Sequence, residues 1–266
     1  MQKTILLTGS TDGIGLETAR MLLSQGHRVL LHGRNPAKLS ATEKTLSEDS
    51  GKGLMETCVA DLSKMDEVEG LASEVRSRHD RIDVLINNAG IFHTPVTVTG
   101  DGLDIRFAVN TIAPYLLTRK LLPILPADGR IINTSSAAQS PVEPDALLGR
   151  KSLSDFDAYA QSKLALNMWS RHMALENPGS AVIAVNPGSM LGSKMVREGF
   201  GVDGGDIRIG ARILTRAALD DDFSTASGQY FDNDAGRFAP PHADALDAEK
   251  NRRIVQLIEN ILSGLV

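Results

Sequence analysis

Short apolar runs alternate with longer amphipathic stretches along most of the chain. The runs are nearly continuous in apolar residues, which is typical of parallel strands buried on both faces. They predict strands at Thr4–Thr8, His27–His32, Leu54–Ala60, Ile82–Asn87, Arg130–Thr134, Ala181–Asn186 and Gly228–Phe231. The amphipathic stretches predict helices at Gly13–Gln25, Pro36–Asp49, Met65–His79, Gly102–Leu125, Asp157–Glu176 and Ala243–Leu262.

This alternation predicts an α/β protein with a doubly wound, parallel, seven-stranded sheet of the Rossmann type. With 266 residues, the chain can bury a large core and still be one domain. It contains no internal repeat, low-complexity tract or convincing linker. We therefore expect residues 1–266 to form a single domain.

Composition excludes several classes of protein. Hydrophobic residues make up 42% and charged residues 23%, and the net charge is −5 without a basic cluster, which disfavours nucleic-acid binding. The apolar runs are too short to span a bilayer. The single cysteine, Cys58, excludes an internal disulfide, and the six scattered histidines disfavour zinc. These features predict a cytoplasmic protein.

The first strand leads into the glycine-rich segment TGSTDGIG, which opens the first helix. Glycines allow a tight turn and let backbone N–H groups approach a pyrophosphate, while the helix N-terminus adds a positive dipole end. The spacing is a variant of the usual dinucleotide fingerprint. The predicted cofactor-binding residues here are Gly9, Ser10, Thr11, Asp12, Gly13, Ile14 and Gly15.

The end of the second strand bears on the choice of cofactor. An acidic residue here would bind the ribose 2′-hydroxyl of NAD, whereas an arginine favours the 2′-phosphate of NADP. The chain has Arg34 and Asn35 instead of an acid, so NADP(H) is the predicted cofactor. Two points oppose this: Arg34 could be an ordinary exposed loop residue, and Asp12 would repel a phosphate.

Asp61 and Leu62 follow the third strand, where they could contact the adenine. Alternatively, Asp61 caps a helix that starts near Ser63. Both interpretations of Asp61 remain open at this point.

Three motifs in order resemble the short-chain dehydrogenase/reductase family over Lys3 to Phe231: TGSTDGIG, then NNAG at Asn87–Gly90, then YAQSK at Tyr159–Lys163. Further similarities are Asn110, Ser135-Ser136 and Asn186-Pro187-Gly188. The segments Leu116–Leu125 and GQYF resemble the retinol-dehydrogenase-like branch.

The resemblance implies four catalytic residues: Asn110, Ser136, Tyr159 and Lys163. Tyr159 would be the general acid in carbonyl reduction, or the base in the reverse direction. Lys163 lies one helical turn away on the same face, where its charge would lower the tyrosine pKa and its amine would bind the nicotinamide ribose. Ser136 would bind the substrate oxygen, and Asn110 would hold a water that relays protons.

The resemblance also implies further cofactor contacts, namely Asn88, Ala89, Gly90, Tyr159, Lys163, Pro187, Gly188 and Ser189. Gly192 stands where the family often has a threonine that touches the nicotinamide, so that contact would pass to Ser193 or to backbone. The segment Lys194–Asp203 resembles the family's substrate lid.

Two local choices affect the substrate side. Strand alternation places Ser135 and Ser136 on opposite faces, and we choose Ser136 because the second serine is the usual catalytic one in the family. The long segment Gln139–Asp155 widens the gap to Tyr159. It either folds beside the substrate or forms a surface loop without a role.

The leading interpretation is an NAD(P)-dependent oxidoreductase that transfers hydride between nicotinamide and an alcohol or carbonyl compound. The alternatives are an extended-type nucleotide-sugar epimerase or dehydratase, disfavoured by the TGxxxGIG spacing, and a non-catalytic dinucleotide-binding regulator, disfavoured by the four catalytic residues. The expected partner is a small-molecule alcohol or carbonyl substrate, and we expect no binding to nucleic acid. Helices Gly102–Leu125 and Asp157–Glu176 could pair in a homodimer or homotetramer.

Overall fold

A computed structural model describes residues 1–49, 53–176 and 179–265, and its centre is a β-sheet. The described residues form eight strands in the order β3-β2-β1-β4-β5-β6-β7-β8, and neighbouring strands are parallel except for β7 and β8. The strands are β1 (Thr4–Leu7), β2 (Arg28–Gly33), β3 (Leu54–Val59), β4 (Val84–Asn87), β5 (Arg130–Thr134), β6 (Ala181–Asn186), β7 (Tyr230–Asp232) and β8 (Arg237–Ala239).

The predicted doubly wound Rossmann sheet is confirmed, but the predicted number of seven strands is wrong. The additional strand, β8, pairs antiparallel with β7, with Asp232 opposite Arg237 and Tyr230 opposite Ala239. It has only three residues, and none of them is buried. A strand this short carries no hydrophobic pattern that a sequence reading could detect.

Helices cover both faces of the sheet. They are α1 (Gly13–Ser24), α2 (Pro36–Asp49), α3 (Met65–Arg78), α4 (Ile105–Phe107), α5 (Ala113–Leu121), α6 (Pro144–Leu147), α7 (Asp155–Glu176), α8 (Lys194–Phe200), α9 (Arg208–Leu219), α10 (Ala243–Leu246) and α11 (Ala248–Leu262). Among the helices of the described ranges, none is long and apolar enough to cross a bilayer.

Two predicted helices are interrupted. The stretch predicted as Gly102–Leu125 consists of α4, a π-helical turn over Ala108–Ile112, α5 and a 3₁₀ turn. Pro114 explains the break, because it has no N–H for the carbonyl of Asn110 and its ring clashes with that carbonyl in a regular helix. The C-terminal stretch is divided at Asp247, whose carboxylate accepts hydrogen bonds from Glu249 N and Lys250 N and caps α11.

Two apolar cores flank the sheet, and successive residues of each strand enter opposite cores. In β1, Ile5 and Leu7 pack with α1, α2 and α9, whereas Leu6 packs with α3, α5, α7 and α11. With both faces filled, the sheet leaves its carboxyl edge as the place where strands give way to loops. A ligand site is expected along that edge.

Candidate active site

A cavity of about 630 Å³ runs along the carboxyl edge of the sheet. The turns that follow β1, β2, β3, β4, β5 and β6 contribute to its lining, as expected for a doubly wound sheet. The structure brings most of the predicted site residues together in this lining: Gly9, Thr11, Asp12, Gly13, Ile14, Gly15, Arg34, Asp61, Leu62, Asn88, Ala89, Gly90, Ser136, Tyr159, Lys163, Pro187, Gly188 and Ser189.

Three predicted site residues, Ser10, Asn35 and Asn110, are absent from the lining that the described residues form. Ser10 is fully buried, and its hydroxyl donates to the His32 carbonyl (3.1 Å). The Asn35 side chain accepts a hydrogen bond from Lys38 N (3.0 Å) at the start of α2. These two side chains therefore shape the turns around the cavity from outside it.

Glycine is required where the turn after β1 meets the turn after β4. Gly9 has φ of +66°, and a Cβ atom there would lie 2.8 Å from the Ala89 Cα. The Asn88 side chain joins the two turns by donating to the carbonyls of Thr8 (2.9 Å) and Gly9 (3.1 Å). The result is a concave backbone surface at the N-terminus of α1, which fits the pyrophosphate of a dinucleotide.

Three charged side chains surround the end of the cavity beyond β2. Lys38 donates to Asp12 Oδ2 (2.8 Å), and Arg34 is exposed nearby. Burial raises the pKa of Asp12, but the hydrogen bond and charge of Lys38 outweigh it and leave the pKa below its usual range. The expected repulsion between Asp12 and a phosphate is thus offset by Lys38, a residue that the sequence reading missed. Its place four positions after Arg34 was the available signal.

Asp61 lies in the turn before α3 and does not cap that helix, whose N-cap is Lys64, while its contact with the adenine stays a prediction. Its carboxylate accepts hydrogen bonds from Ser63 N (3.0 Å) and the Ser63 hydroxyl (2.8 Å), so it organises the turn before α3. It also lines the cavity. Burial raises its pKa, whereas the Ser63 hydrogen bonds and the charge of Arg34 leave the pKa lowered on balance.

Tyr159 and Ser136 lie together at the other end of the cavity, where the serine hydroxyl is near enough to the phenol to act on its pKa as a hydrogen-bond partner. Burial raises the pKa of Tyr159, and the bond to Ser136 acts in the opposite direction. The expected lowering of the tyrosine pKa by Lys163 is therefore not observed in this structure. The phenol is held protonated, as a proton donor must be.

Lys163 is buried, with 3% of its surface exposed, and its ammonium group donates to the Thr134 carbonyl (2.7 Å). The ammonium nitrogen lies 5.7 Å from the centre of the Tyr159 ring. Burial lowers the pKa of Lys163 to about 8. The lysine therefore carries a charge at neutral pH while lying close to its titration range.

Asn110 lies in the π-helical turn, close to Lys163. Its Oδ1 accepts from Ile91 N (2.8 Å), and its Nδ2 donates to the Ile91 carbonyl (2.9 Å) and the Ser162 hydroxyl (3.0 Å). A Cβ atom on Gly90 would lie 3.4 Å from both Asn110 Oδ1 and Lys163 Nζ. Asn110 thus holds the segment after β4 against α7.

Both serines after β5 belong to the residues that line the cavity, but the Ser135 hydroxyl is buried. The strand ends at Thr134, so strand alternation does not extend to Ser135 and Ser136. Ser136 Oγ accepts a hydrogen bond from Ala138 N (3.1 Å). Among the described residues, the buried Ser135 hydroxyl has no hydrogen-bond partner.

The mouth of the cavity near Tyr159 is apolar, which the sequence reading did not predict. Phe92 packs edge-on against Tyr159 with 5.2 Å between ring centres, and Phe156 is 52% exposed. Met190, in the segment after β6, is 43% exposed. Its φ of +51° lies in the left-handed region, which is uncommon for a residue other than glycine. Phe92 and Met190 come from loops and Phe156 from the first turn of α7, so no single stretch of sequence revealed them.

The segment Gln139–Asp155 lies beside the cavity without contributing to the lining found in the described chain. Gln139 donates to the Ser136 carbonyl (3.0 Å) and accepts from His242 N (3.0 Å). Asp155 forms an ion pair with Arg106 and a hydrogen bond with His93 (2.7 Å). The segment therefore supports the serine loop and the start of α7.

A Rossmann sheet with a glycine turn, and with a tyrosine–lysine pair at the same cavity, defines an NAD(P)-dependent oxidoreductase. The family model for short chain dehydrogenases matches residues 3–200. The chain therefore belongs to the short-chain dehydrogenase family, in its retinol-dehydrogenase-like branch.

Individual relatives agree with this assignment. Human Retinol dehydrogenase 12 is 30% identical over 279 residues, which cover 99% of this chain and 86% of that protein. The Pseudomonas aeruginosa RhlG/NADP complex has a TM-score of 0.71 and 25% identity, covering 88% of this chain and 95% of its own. The angucycline C-6 ketoreductase LanV with bound NADP has a TM-score of 0.65 and 26% identity, covering 87% and 93%. These similarities confirm the predicted reaction class, which acts on CH–OH groups, and a nicotinamide cofactor.

Proposed function

We propose that this enzyme reduces bulky apolar ketones or aldehydes with NADPH, and oxidises the corresponding alcohols in the reverse direction. The observation that carries the proposal is the placement of Tyr159, Lys163 and Ser136 in the same cavity as the glycine turn, with the Lys163 ammonium 5.7 Å from the Tyr159 ring. The nicotinamide, when bound, supplies or accepts the hydride.

Each polar side chain has a proposed role. Tyr159 donates its proton to the substrate oxygen, and its raised pKa keeps that proton available. Ser136 donates to the same oxygen and stabilises its developing charge. Lys163 binds the nicotinamide ribose, and Asn110 holds the loop beside it.

The basic end of the cavity supports a preference for NADPH. Arg34 and Lys38 line the cavity after β2, and Asp12 is neutralised by its ion pair with Lys38. A 2′-phosphate here could pair with the guanidinium of Arg34, while Lys38 offsets the repulsion from Asp12. The NADP complexes of RhlG and LanV support the same choice.

The apolar mouth supports a bulky apolar substrate. The cavity lining includes five apolar side chains, Phe92, Phe156, Met190, Met195 and Val196. A small polar ketone could not cover the apolar surface that they present. The names of two relatives give retinol and an angucycline as substrates, and retinol is large and apolar. We expect two- and three-ring ketones to have higher kcat/KM than short polar ketones, and equal values across that panel would contradict the substrate class.

Replacing Tyr159 tests the proposed chemistry. Tyr159→Phe should lower kcat for carbonyl reduction at least about 100-fold, because general acid catalysis is lost while the ring still packs on Phe92. The affinity for NADPH, measured by nicotinamide fluorescence, should stay within about twofold. Tyr115→Phe, which removes a hydroxyl bonded to Glu259 far from the cavity, is the control. Full activity in Tyr159→Phe would rule out the tyrosine as the acid.

Replacing Arg34 tests the cofactor preference. Arg34→Ala should raise the Kd for NADPH about tenfold or more and leave the Kd for NADH nearly unchanged, because only NADPH carries the 2′-phosphate. Arg150→Ala, which alters an exposed arginine outside the cavity lining, should change neither value. If the unaltered enzyme binds NADH as tightly as NADPH, the preference is wrong.

A further inference from the structure

His32, the fifth residue of β2, is a buried histidine. Its two ring nitrogens contact the segments that follow β1 and β3, the strands on either side of β2. Gly9 N–H donates to Nδ1 (3.1 Å), and Nε2 lies 3.0 Å from the Ala60 carbonyl. An amide N–H can only donate and a carbonyl can only accept, so Nδ1 is the acceptor and Nε2 carries the proton. The ring thus joins the turn after β1 to the end of β3, and it lines the cavity.

The backbone of His32 holds the next residue of the same turn. Its carbonyl accepts hydrogen bonds from Ser10 N (3.0 Å) and from the Ser10 hydroxyl (3.1 Å). Gly9 and Ser10, two consecutive residues of the glycine turn, are therefore both anchored to one residue of β2. This contact explains why Ser10 is conformationally important although it does not line the cavity.

The backbone of Gly9 is fixed by its conformation, by the close approach of Ala89 and by hydrogen bonds at both its N–H and its carbonyl. Its φ of +66° places it in the left-handed region, and a Cβ would clash with Ala89. Its carbonyl accepts from the Asn88 side chain (3.1 Å), and its N–H is used by His32. Without the imidazole, this half-buried N–H would lose its partner, and the turn could rotate to find another.

The imidazole keeps its acceptor over the whole neutral range. Burial lowers the pKa of His32 to about 4, against the opposing influences of the hydrogen bond to the Ala60 carbonyl and of the Asp61 charge. A neutral ring with a fixed tautomer gives the turn a constant geometry. A protonated ring would present a second donor to Gly9 N–H and break the contact.

We propose that His32 is a positioning residue for the cofactor: through Nδ1 it holds the N–H of Gly9 and thereby sets the glycine turn in the conformation that receives the dinucleotide pyrophosphate. The inference rests on the proposed function, in which this cavity binds NADP(H). His32 acts through Gly9 and not through the reacting atoms, so it should affect cofactor affinity without affecting the chemical step.

Two isosteric substitutions separate the roles of the two ring nitrogens. His32→Asn places an amide oxygen near the position of Nδ1, so it keeps the acceptor for Gly9 and loses the donor to Ala60. His32→Gln places its amide near the position of Nε2, so it keeps the Ala60 contact and leaves Gly9 unpaired. Each variant loses one hydrogen bond, so both should lose similar thermal stability.

The test measures the Kd of NADPH and of NADH for both variants by nicotinamide fluorescence, together with kcat at saturating cofactor. We expect His32→Gln to weaken both cofactors by the same factor, about tenfold, because they share the pyrophosphate. His32→Asn should stay within about threefold of the unaltered enzyme, and kcat should change little in either. Leu30→Ala, in a fully buried residue on the same face of β2, should lose stability and keep cofactor affinity.

Several results would overturn the inference. Equal Kd values for the asparagine and glutamine variants would show that Nδ1 has no special role, as would a weakening confined to NADPH. If one variant fails to fold, the other still tests the proposal. A Kd for the folded variant outside the range expected for it would reject the proposal. Failure of the proposed function is distinct, because the unaltered enzyme would then bind neither cofactor.

Discussion

At the scale of single residues, the buried ammonium of Lys163 couples function to stability. Burial lowers its pKa from 10.5 to about 8, which corresponds to about 3 kcal/mol of unfavourable free energy at pH 7. Between pH 8 and pH 10.5 the unfolded chain binds a proton at this lysine that the folded protein does not. The stability of the protein should therefore rise with pH through that window, and the cost should be present in full below it.

Lys163→Met is accordingly expected to stabilise the enzyme while removing its activity. The apolar side chain avoids the cost of burying the charge but leaves the Thr134 carbonyl unpaired, so the net gain should be about 1–2 kcal/mol at pH 7. The gain should shrink as pH rises from 8 to 10. Denaturant unfolding at pH 7 and pH 10 measures both values, with Lys44→Met at an exposed helix position as the control. A variant less stable than the parent at pH 7 would refute this reasoning.

The sequence could identify residues that belong to local motifs, because spacing along the chain determines where they lie. Apart from Ser10, the predicted residues of the glycine turn line the cavity, as do Asn88 and the Tyr159–Lys163 pair. His32 and Phe92 could not be found this way. Their importance depends on contacts between separate segments, and a lone histidine in a strand gives no sign that both of its nitrogens will find backbone partners.

At the scale of elements, the turn between β7 and β8 braces the segment after β6. Asp234 Oδ1 accepts from Ser189 N (2.8 Å), and its Oδ2 accepts from the Ser189 hydroxyl (2.6 Å) and Asn186 Nδ2 (2.9 Å). Asn233 donates to the Pro187 carbonyl (2.9 Å). The cavity wall from Pro187 to Ser189 thus depends on the turn that introduces the eighth strand.

Removing this brace should weaken the cofactor site from a distance. Asp234→Ala removes the acceptor for Ser189 and one of two acceptors for Asn186 Nδ2, so we expect a loss of about 0.5–1.5 kcal/mol in stability and a several-fold higher Kd for both NADPH and NADH. Asp222→Ala, in an exposed carboxylate beyond α9, is the matched control and should alter neither. Unchanged affinity in Asp234→Ala, measured by the same fluorescence titration, would show that the segment holds its shape unaided.

Element boundaries were predictable where one strong signal acted alone. The strands β5 and β6 and the helix α2 have the predicted bounds, because apolar runs or a first-turn proline delimit them. The helix predicted over Gly102–Leu125 was wrong, although Pro114 was visible in the sequence, since its amphipathic pattern continues across the break. Local backbone chemistry prevailed there over hydrophobic periodicity.

At the scale of the whole molecule, α11 covers surface that the sequence suggested for pairing between subunits. Ile254, Ile258 and Leu262 are buried in the core that also contains Trp169 of α7. Glu259 accepts hydrogen bonds from Tyr115 and Arg119 of α5. One helix of the same chain therefore packs against both of the helices that were candidates for a subunit interface.

We expect the protein to be monomeric in solution, because an isologous interface needs the same apolar face free on both subunits, and here α11 occupies it. Light scattering coupled to size-exclusion chromatography should give the mass of one chain, 28.5 kDa. Ile258→Asp, which places a charge between α11 and the core, should release the helix and produce larger species or lower stability by several kcal/mol. Arg252→Asp, on the exposed side of α11, should leave the mass unchanged. A dimer mass for the unaltered protein would show that subunits associate through another face or that α11 does not block pairing.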